Sequence, residues 1–152
     1  MKQISKRTLR VALTTFVATA TMGVFATSAS AGDNTWIRQR DFGICIASGA
    51  NGYVHGSSFC NNNDSSQLWD RVGSTIKRAY TNQCLDSNDN GDVYYLECNG
   101  GDYQNWNYLS INSYGDALVQ DRATGKYLYV NTGTNNIATS DNGYWWSFYG
   151  GQ

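Results

Sequence analysis

The chain has 152 residues, 14% aromatic and 15% charged, with sixteen glycines and no proline. That length sets an expectation of one domain with a modest core. Beyond residue 31 seven basic side chains face twelve acidic ones, a balance of seven minus twelve, or −5, with no basic run; this argues against nucleic acid and against an anionic membrane surface as partners.

In chain order, residues 1–31 read as a secretory leader. Lys2, Lys6, Arg7 and Arg10 make a basic start, VALTTFVATATMGVFA is a mostly apolar run, and ASA at Ala29 to Ala31 has the small-x-small pattern of a cleavage site. A retained signal anchor is the rival reading. The small residues after the run favour cleavage, so the mature domain is expected over 32–152, secreted and extracellular. No later run is long enough to insert in a bilayer.

Four cysteines follow, Cys45, Cys60, Cys84 and Cys98. An oxidising compartment makes disulfides the expectation. Three pairings exist. The spacing favours Cys45–Cys60 with Cys84–Cys98, since each then closes a short loop of similar size, contributing about 3 kcal/mol in the chain-entropy picture. A zinc site is disfavoured, because no C-x₂-C spacing occurs and His55 is the one histidine.

The remainder divides into three units, about 36–73, 74–113 and 114–152. TWIRQR, STIKRA and ALVQDR open them; GICIAS, NQCLDS and GKYLYV follow in step. SSQLW ends at Trp69 and DYQNW at Trp106, both Gln-x-Trp, while GYWW brings Trp146 with Tyr144 in place of the glutamine. No unit shows a useful helical period. Short apolar stretches such as TWI, VYYL and KYLYV, parted by Gly, Asn, Asp and Ser, predict short strands and turns in an all-β fold. Three units are too few for a propeller and leave a solenoid uncapped. A closed threefold arrangement is expected instead, with Trp69, Trp106 and Trp146 sharing one core and Gln67 and Gln104 bonding backbone.

Three Gln-x-Trp units with a cysteine pair inside a unit resemble the ricin-B-type β-trefoil lectins. The middle unit, CLDSNDNGDVYYLECNGGDYQNW at 84–106, is similar to the actinohivin-type repeat LDSNxNGxVYxLxxNGGxYQxW of high-mannose-binding actinomycete lectins. The resemblance implies a β-trefoil and a sugar pocket at Asp86, Tyr94, Leu96, Asn99 and Tyr103. The residue types suit that role. A carboxylate accepts two hydroxyl hydrogen bonds, Asn offers a donor and an acceptor, and Tyr combines an apolar face with a hydroxyl tip. Tyr94 and Leu96 alternate along one strand and share a face, with Val93 and Tyr95 turned to the core.

The outer units depart from the motif. Unit one has Ala47 at the aspartate position, His55 near the tyrosine and Ser66 before its glutamine; unit three has Tyr129 at the aspartate position and no cysteine. One pocket is therefore expected where the resembling lectins have three.

Structural roles compete with the sugar-binding ones. Asp86 fits a turn cap, Tyr94 and Tyr103 fit exposed strand positions, and Asp89, Asp92 and Asp102 fit solvated loop charges. DSNDNG also follows a calcium-loop spacing through to Glu97, but strands flank it and a disulfide ties its ends, so no metal or cofactor is expected. With one glutamate, one histidine and no hydrolase motif, catalysis is not expected. The reading is a secreted lectin for mannose-type glycans. Its rivals are a trefoil scaffold or adaptor subunit bound to a secreted protein partner, and a polysaccharide-binding module related to secreted glycosidases.

Overall fold

A computed structural model describes residues 34–149; the leader and its cleavage site lie outside them. Each unit supplies four short strands. Unit one has β1 (Trp36–Gln39), β2 (Cys45–Ser48), β3 (Val54–Ser57) and β4 (Trp69–Val72). Unit two has β5 (Thr75–Arg78), β6 (Gln83–Ser87), β7 (Val93–Glu97) and β8 (Trp106–Leu109). Unit three has β9 (Ala117–Asp121), β10 (Tyr127–Asn131), β11 (Asn136–Ser140) and β12 (Trp145–Tyr149). The first and last strands of the three units close a six-stranded barrel. Ladders join β1 to β12, β12 to β9, β9 to β8 and β5 to β4. Single links complete the ring, from Thr35 to Trp69 and from the Trp106 amide to the Ser74 carbonyl. Closure leaves the barrel no free edge, and the architecture is a β-trefoil.

The middle strands form three hairpins, β2–β3, β6–β7 and β10–β11, that cap the barrel. They meet through three related backbone bonds: Tyr95 N to Gly52 O (2.9 Å), Thr139 N to Gly91 O (2.8 Å) and Gly56 N to Asn135 O (2.6 Å). Each acceptor residue has a positive φ, at 84°, 92° and 55°. A Cβ at Gly52 would stand 2.9 Å from the Tyr95 carbonyl, so glycine is required there; Asn135 tolerates the left-handed region as few other side chains do.

The core repeats threefold. Ile37, Ile76 and Val119 come from the first strands, Ile46, Leu85 and Leu128 from the second, Val54, Val93 and Ile137 from the third, and all are buried. Trp69, Trp106 and Trp146 are wholly buried. Their indole N–H groups donate to the carbonyls of Ile46 (3.0 Å), Leu85 (3.2 Å) and Leu128 (3.0 Å). Gln67 and Gln104 lie two residues earlier; their side-chain oxygens accept from the amides of Asn61 and Asn99. In unit three Tyr144 replaces the glutamine and stacks on Tyr129, 5.1 Å between centroids.

The cysteines pair Cys45–Cys60 and Cys84–Cys98, with Cα atoms 5.6 and 5.0 Å apart. In unit three Tyr127 holds the cysteine position and its ring lies against Gly143, where a Cβ would come within 2.9 Å. Aromatic packing thus stands where the other units have a covalent tie. Two residues beyond each tryptophan, Arg71, Tyr108 and Phe148 fill the end of the barrel remote from the hairpins. The Arg71 guanidinium lies 3.5 Å from the Tyr108 ring centre, and Phe148 meets Tyr108 edge-on at 5.3 Å. Burial pushes the Tyr108 hydroxyl up to about 12, against the lowering influence of Arg71.

Replacing Trp106 by Phe keeps an aromatic ring but leaves the Leu85 carbonyl without its buried donor. The expected loss is about 2–4 kcal/mol from the orphaned acceptor and the residual cavity together. Urea melts measure it, and a midpoint unchanged from wild type would contradict this account of the core.

Candidate functional site

The β6–β7 hairpin positions most of the residues singled out from the motif. Its register sets Asp86 opposite Tyr94 and Cys84 opposite Leu96. Alternation buries Val93 and Tyr95 and leaves Tyr94 half-buried and Leu96 exposed on the other face. Asp86 is only 4% exposed, at the base of this face. The Tyr94 hydroxyl donates to the Ser87 carbonyl at 3.0 Å, with Asp86 its partner across the strand pair. Burial first, and then the Asp86 charge, push that hydroxyl up to about 12.

Tyr103 arrives from a 3-10 turn at Asp102–Gln104. Gln104 fastens this turn to the hairpin, donating to the Glu97 carbonyl (3.1 Å) while accepting from the Asn99 amide (2.8 Å). The Asp89 carboxylate beside the Tyr103 hydroxyl raises its pKa, with smaller contributions from burial, Asp121 and Asp86. Asp86, Tyr94 and Tyr103 therefore converge, and Asp89 joins them. Leu96 stands beside them along β7. Asn99 is exposed at the far end, its side-chain oxygen accepting from the Gly101 amide at 2.7 Å.

The loop aspartates Asp89 and Asp92 are exposed, as a solvated loop requires. The backbone carbonyl of Asp89 takes the Lys126 ammonium at 3.0 Å. Asp92 pairs with Asn88, whose amide donates to its carboxylate at 3.0 Å and whose oxygen accepts its backbone N–H at 3.1 Å. These bonds build the turn and engage groups that the calcium-loop spacing would have used; Glu97 is engaged by Asn82.

Other contributors come from a different unit. The Ser87 hydroxyl donates to Asp121 at 2.8 Å, and the second oxygen of Asp121 accepts the Thr124 amide (2.7 Å) and hydroxyl (2.9 Å). This wholly buried carboxylate is fully bonded and holds β6 against unit three. Nothing local to either repeat announces the pair.

The related faces of the outer units carry no carboxylate at the Asp86 position. Ala47 faces His55 in unit one, and Tyr129 faces Ala138 in unit three. In unit one a carboxylate stands elsewhere: Asp64 caps the turn before Trp69, accepting from the Ser66 amide at 2.9 Å, and the bonds from Ser66 hold it below the usual carboxylate range. Beside the Tyr94 face, where the three hairpins meet, is a cleft of about 290 Å³. Asn51 and Tyr53 line it from the first hairpin, Asp92 and Tyr94 from the second, Asn136 from the third.

Tyr94 and Tyr108 are expected to titrate late, near pH 12. Their folded-state values lie above the ordinary value of 10, so the stability they carry is complete below about pH 10 and is lost as pH rises toward 12. Alkaline titration of tyrosinate absorbance checks this, with Tyr94→Phe removing one late step. An early step removed by that variant would show the hydroxyl to be solvated.

A family profile, the ricin-type beta-trefoil lectin domain, matches residues 26–106. Among solved structures, the GlcNAcα1-4Gal-releasing endo-β-galactosidase from Clostridium perfringens superposes with a TM-score of 0.67 at 15% identity, over 79% of this chain and 33% of that one. This chain thus spans about a third of that enzyme's length. The designed 3-fold symmetric protein ThreeFoil gives a TM-score of 0.62 at 19% identity, over 76% and 96%. A non-toxic homologue of type II RIPs from bitter gourd (Momordica charantia), in complex with α-methyl-D-galactoside, gives 0.63 at 20% identity, over 78% and 48%. These likenesses show the fold. The profile ends at Trp106, so unit three, with Tyr144 for its glutamine, falls outside it. Because the profile covers more than half of the chain, the protein belongs to the ricin-type β-trefoil lectin domain family, whose role is carbohydrate binding.

Proposed function

We propose that the protein is a secreted, non-catalytic lectin with one sugar pocket, in unit two, and that its ligands are mannose-type glycans. The observation that carries the single pocket is the convergence of Asp86, Tyr94 and Tyr103, which neither outer unit repeats. Asp86 accepts two sugar hydroxyls, the tyrosine hydroxyls complete their network, Leu96 meets the apolar face of the ring, and Asn99 donates at the edge. The leader pattern and the two disulfides support secretion.

Mannose is favoured by the match of unit two to the high-mannose-binding repeat. A galactose-type ligand is the second reading, since the bitter gourd homologue is in complex with a galactoside and the Clostridium enzyme acts on a galactose linkage. A glycan array holding both series decides between them, with high-mannose glycans expected to bind.

Asp86→Ala is expected to abolish measurable binding while the protein stays folded. A hydrogen bond to a charged group is worth about 1.5–3 kcal/mol, or roughly ten- to a hundredfold in affinity. Calorimetry on variant protein with a wild-type melting profile reads the effect; undiminished mannoside affinity would move the pocket elsewhere.

One pocket forgoes the gain in avidity, about 10²–10⁴, that linked pockets bring. The monomer is therefore expected to bind weakly and to leave yeast cells unagglutinated. Agglutination by protein shown by light scattering to be monomeric would mean that a second unit binds.

A further inference from the structure

We infer that the unit-two pocket continues across the seam between hairpins onto Tyr53, which with His55 forms a second subsite for the next ring of a neutral oligosaccharide. The inference rests on the reading of Asp86 and Tyr94 as sugar contacts and deepens it. Register carries it. Asp86 is the cross-strand partner of Tyr94 within the second hairpin. Tyr94 is in turn the bridge partner of Tyr53, just before β3. The bond that closes this bridge runs from the Tyr95 amide to the Gly52 carbonyl, flanking the pair rather than joining it. Tyr53 and Tyr94 are thus a non-hydrogen-bonded antiparallel pair, the closer kind, with both side chains on one face. Asp86, Tyr94 and Tyr53 therefore stand in a row over three strands, two strand spacings or about 10 Å, which matches two linked pyranose rings.

The shelf is held in place. Tyr53 is 54% exposed at this seam, yet its ring lies parallel to that of His55, with centroids 5.5 Å apart and planes 9° apart. Gly49 backs both rings: a Cβ there would stand 3.0 Å from the Tyr53 ring and 3.6 Å from His55 Nδ1. The Gly49 carbonyl is itself fixed by the Tyr95 hydroxyl of unit two at 2.6 Å. A flat aromatic face suits the apolar side of a sugar ring, and the cleft beside it offers Asn51, Asp92 and Asn136 to hydroxyl groups. Asp86 and Asp92 border this path, so glycans carrying sialic or uronic acids are disfavoured.

Calorimetry with methyl α-mannoside against α-1,2-mannobiose, and methyl α-galactoside against lactose, tests the subsite on wild type, Tyr53→Ala and Asp86→Ala. In whichever series binds, the disaccharide is expected to gain about fivefold or more over the monosaccharide; Tyr53→Ala erases that gain and leaves the monosaccharide within about twofold. Asp86→Ala abolishes both. No gain in wild type, or equal losses for both sugars in Tyr53→Ala, overturns the second subsite and leaves the pocket standing. If Asp86→Ala changes neither sugar, the pocket reading fails and the subsite fails with it. Tyr53→Phe, which keeps the flat ring, is expected to retain the gain; its loss in that variant would assign Tyr53 a hydroxyl contact instead of a stacking face.

Discussion

The buried bond from each tryptophan indole to a carbonyl of its own second strand governs this molecule. Barrel strands and hairpins are separate layers, and neither buries enough surface to persist alone. Trp69, Trp106 and Trp146 belong to the barrel, but their N–H groups end on Ile46, Leu85 and Leu128 in the hairpins. Each ring brings its large apolar area to the common core and at the same time pins the hairpin that carries the outward face. The position of Asp86, next in sequence to the Leu85 carbonyl, follows directly from that anchor.

Because the anchor lies inside and the site outside, the two vary independently from unit to unit. The layer of Ile37, Ile76 and Val119 hardly changes between units, while the outward row reads Ala47, Asp86 and Tyr129. Unit three shows how far the supports can be exchanged. Tyr144 stacked on Tyr129 takes over from a glutamine, and Tyr127 packed on Gly143 from a disulfide. The scaffold tolerates both because the indole bond to Leu128 persists.

What the sequence made legible is what recurs within a unit. The tryptophans, their glutamines, the cysteine spacing and the alternation of Val93 to Leu96 all follow a local period, and the trefoil follows from them. Asp86, Tyr94 and Tyr103 could be grouped because one unit carries them all. The bond between Ser87 and Asp121 was not legible, nor was the bridge between Tyr53 and Tyr94, because each joins two units and depends on how the hairpins dock. The bond from Lys126 to the Asp89 carbonyl was hidden in the same way, since it too joins two units.

The packing at the remote end of the barrel bears on why the units differ at all. Arg71, Tyr108 and Phe148 occupy one position in three copies, and they fit because a cation rests on an aromatic ring that a second ring supports from the side. Exact repetition of any one of these three residues would not reproduce this arrangement. Three arginines converging on a pseudosymmetry axis would repel one another in a partly dehydrated space, and three rings would compete for one volume. Nearly alike residues serve in the buried layer of Ile37, Ile76 and Val119, whereas at this end unlike neighbours fill the space. The differences among the three units at this end are thus part of how the barrel closes there, the cation of one unit lying on the ring of another.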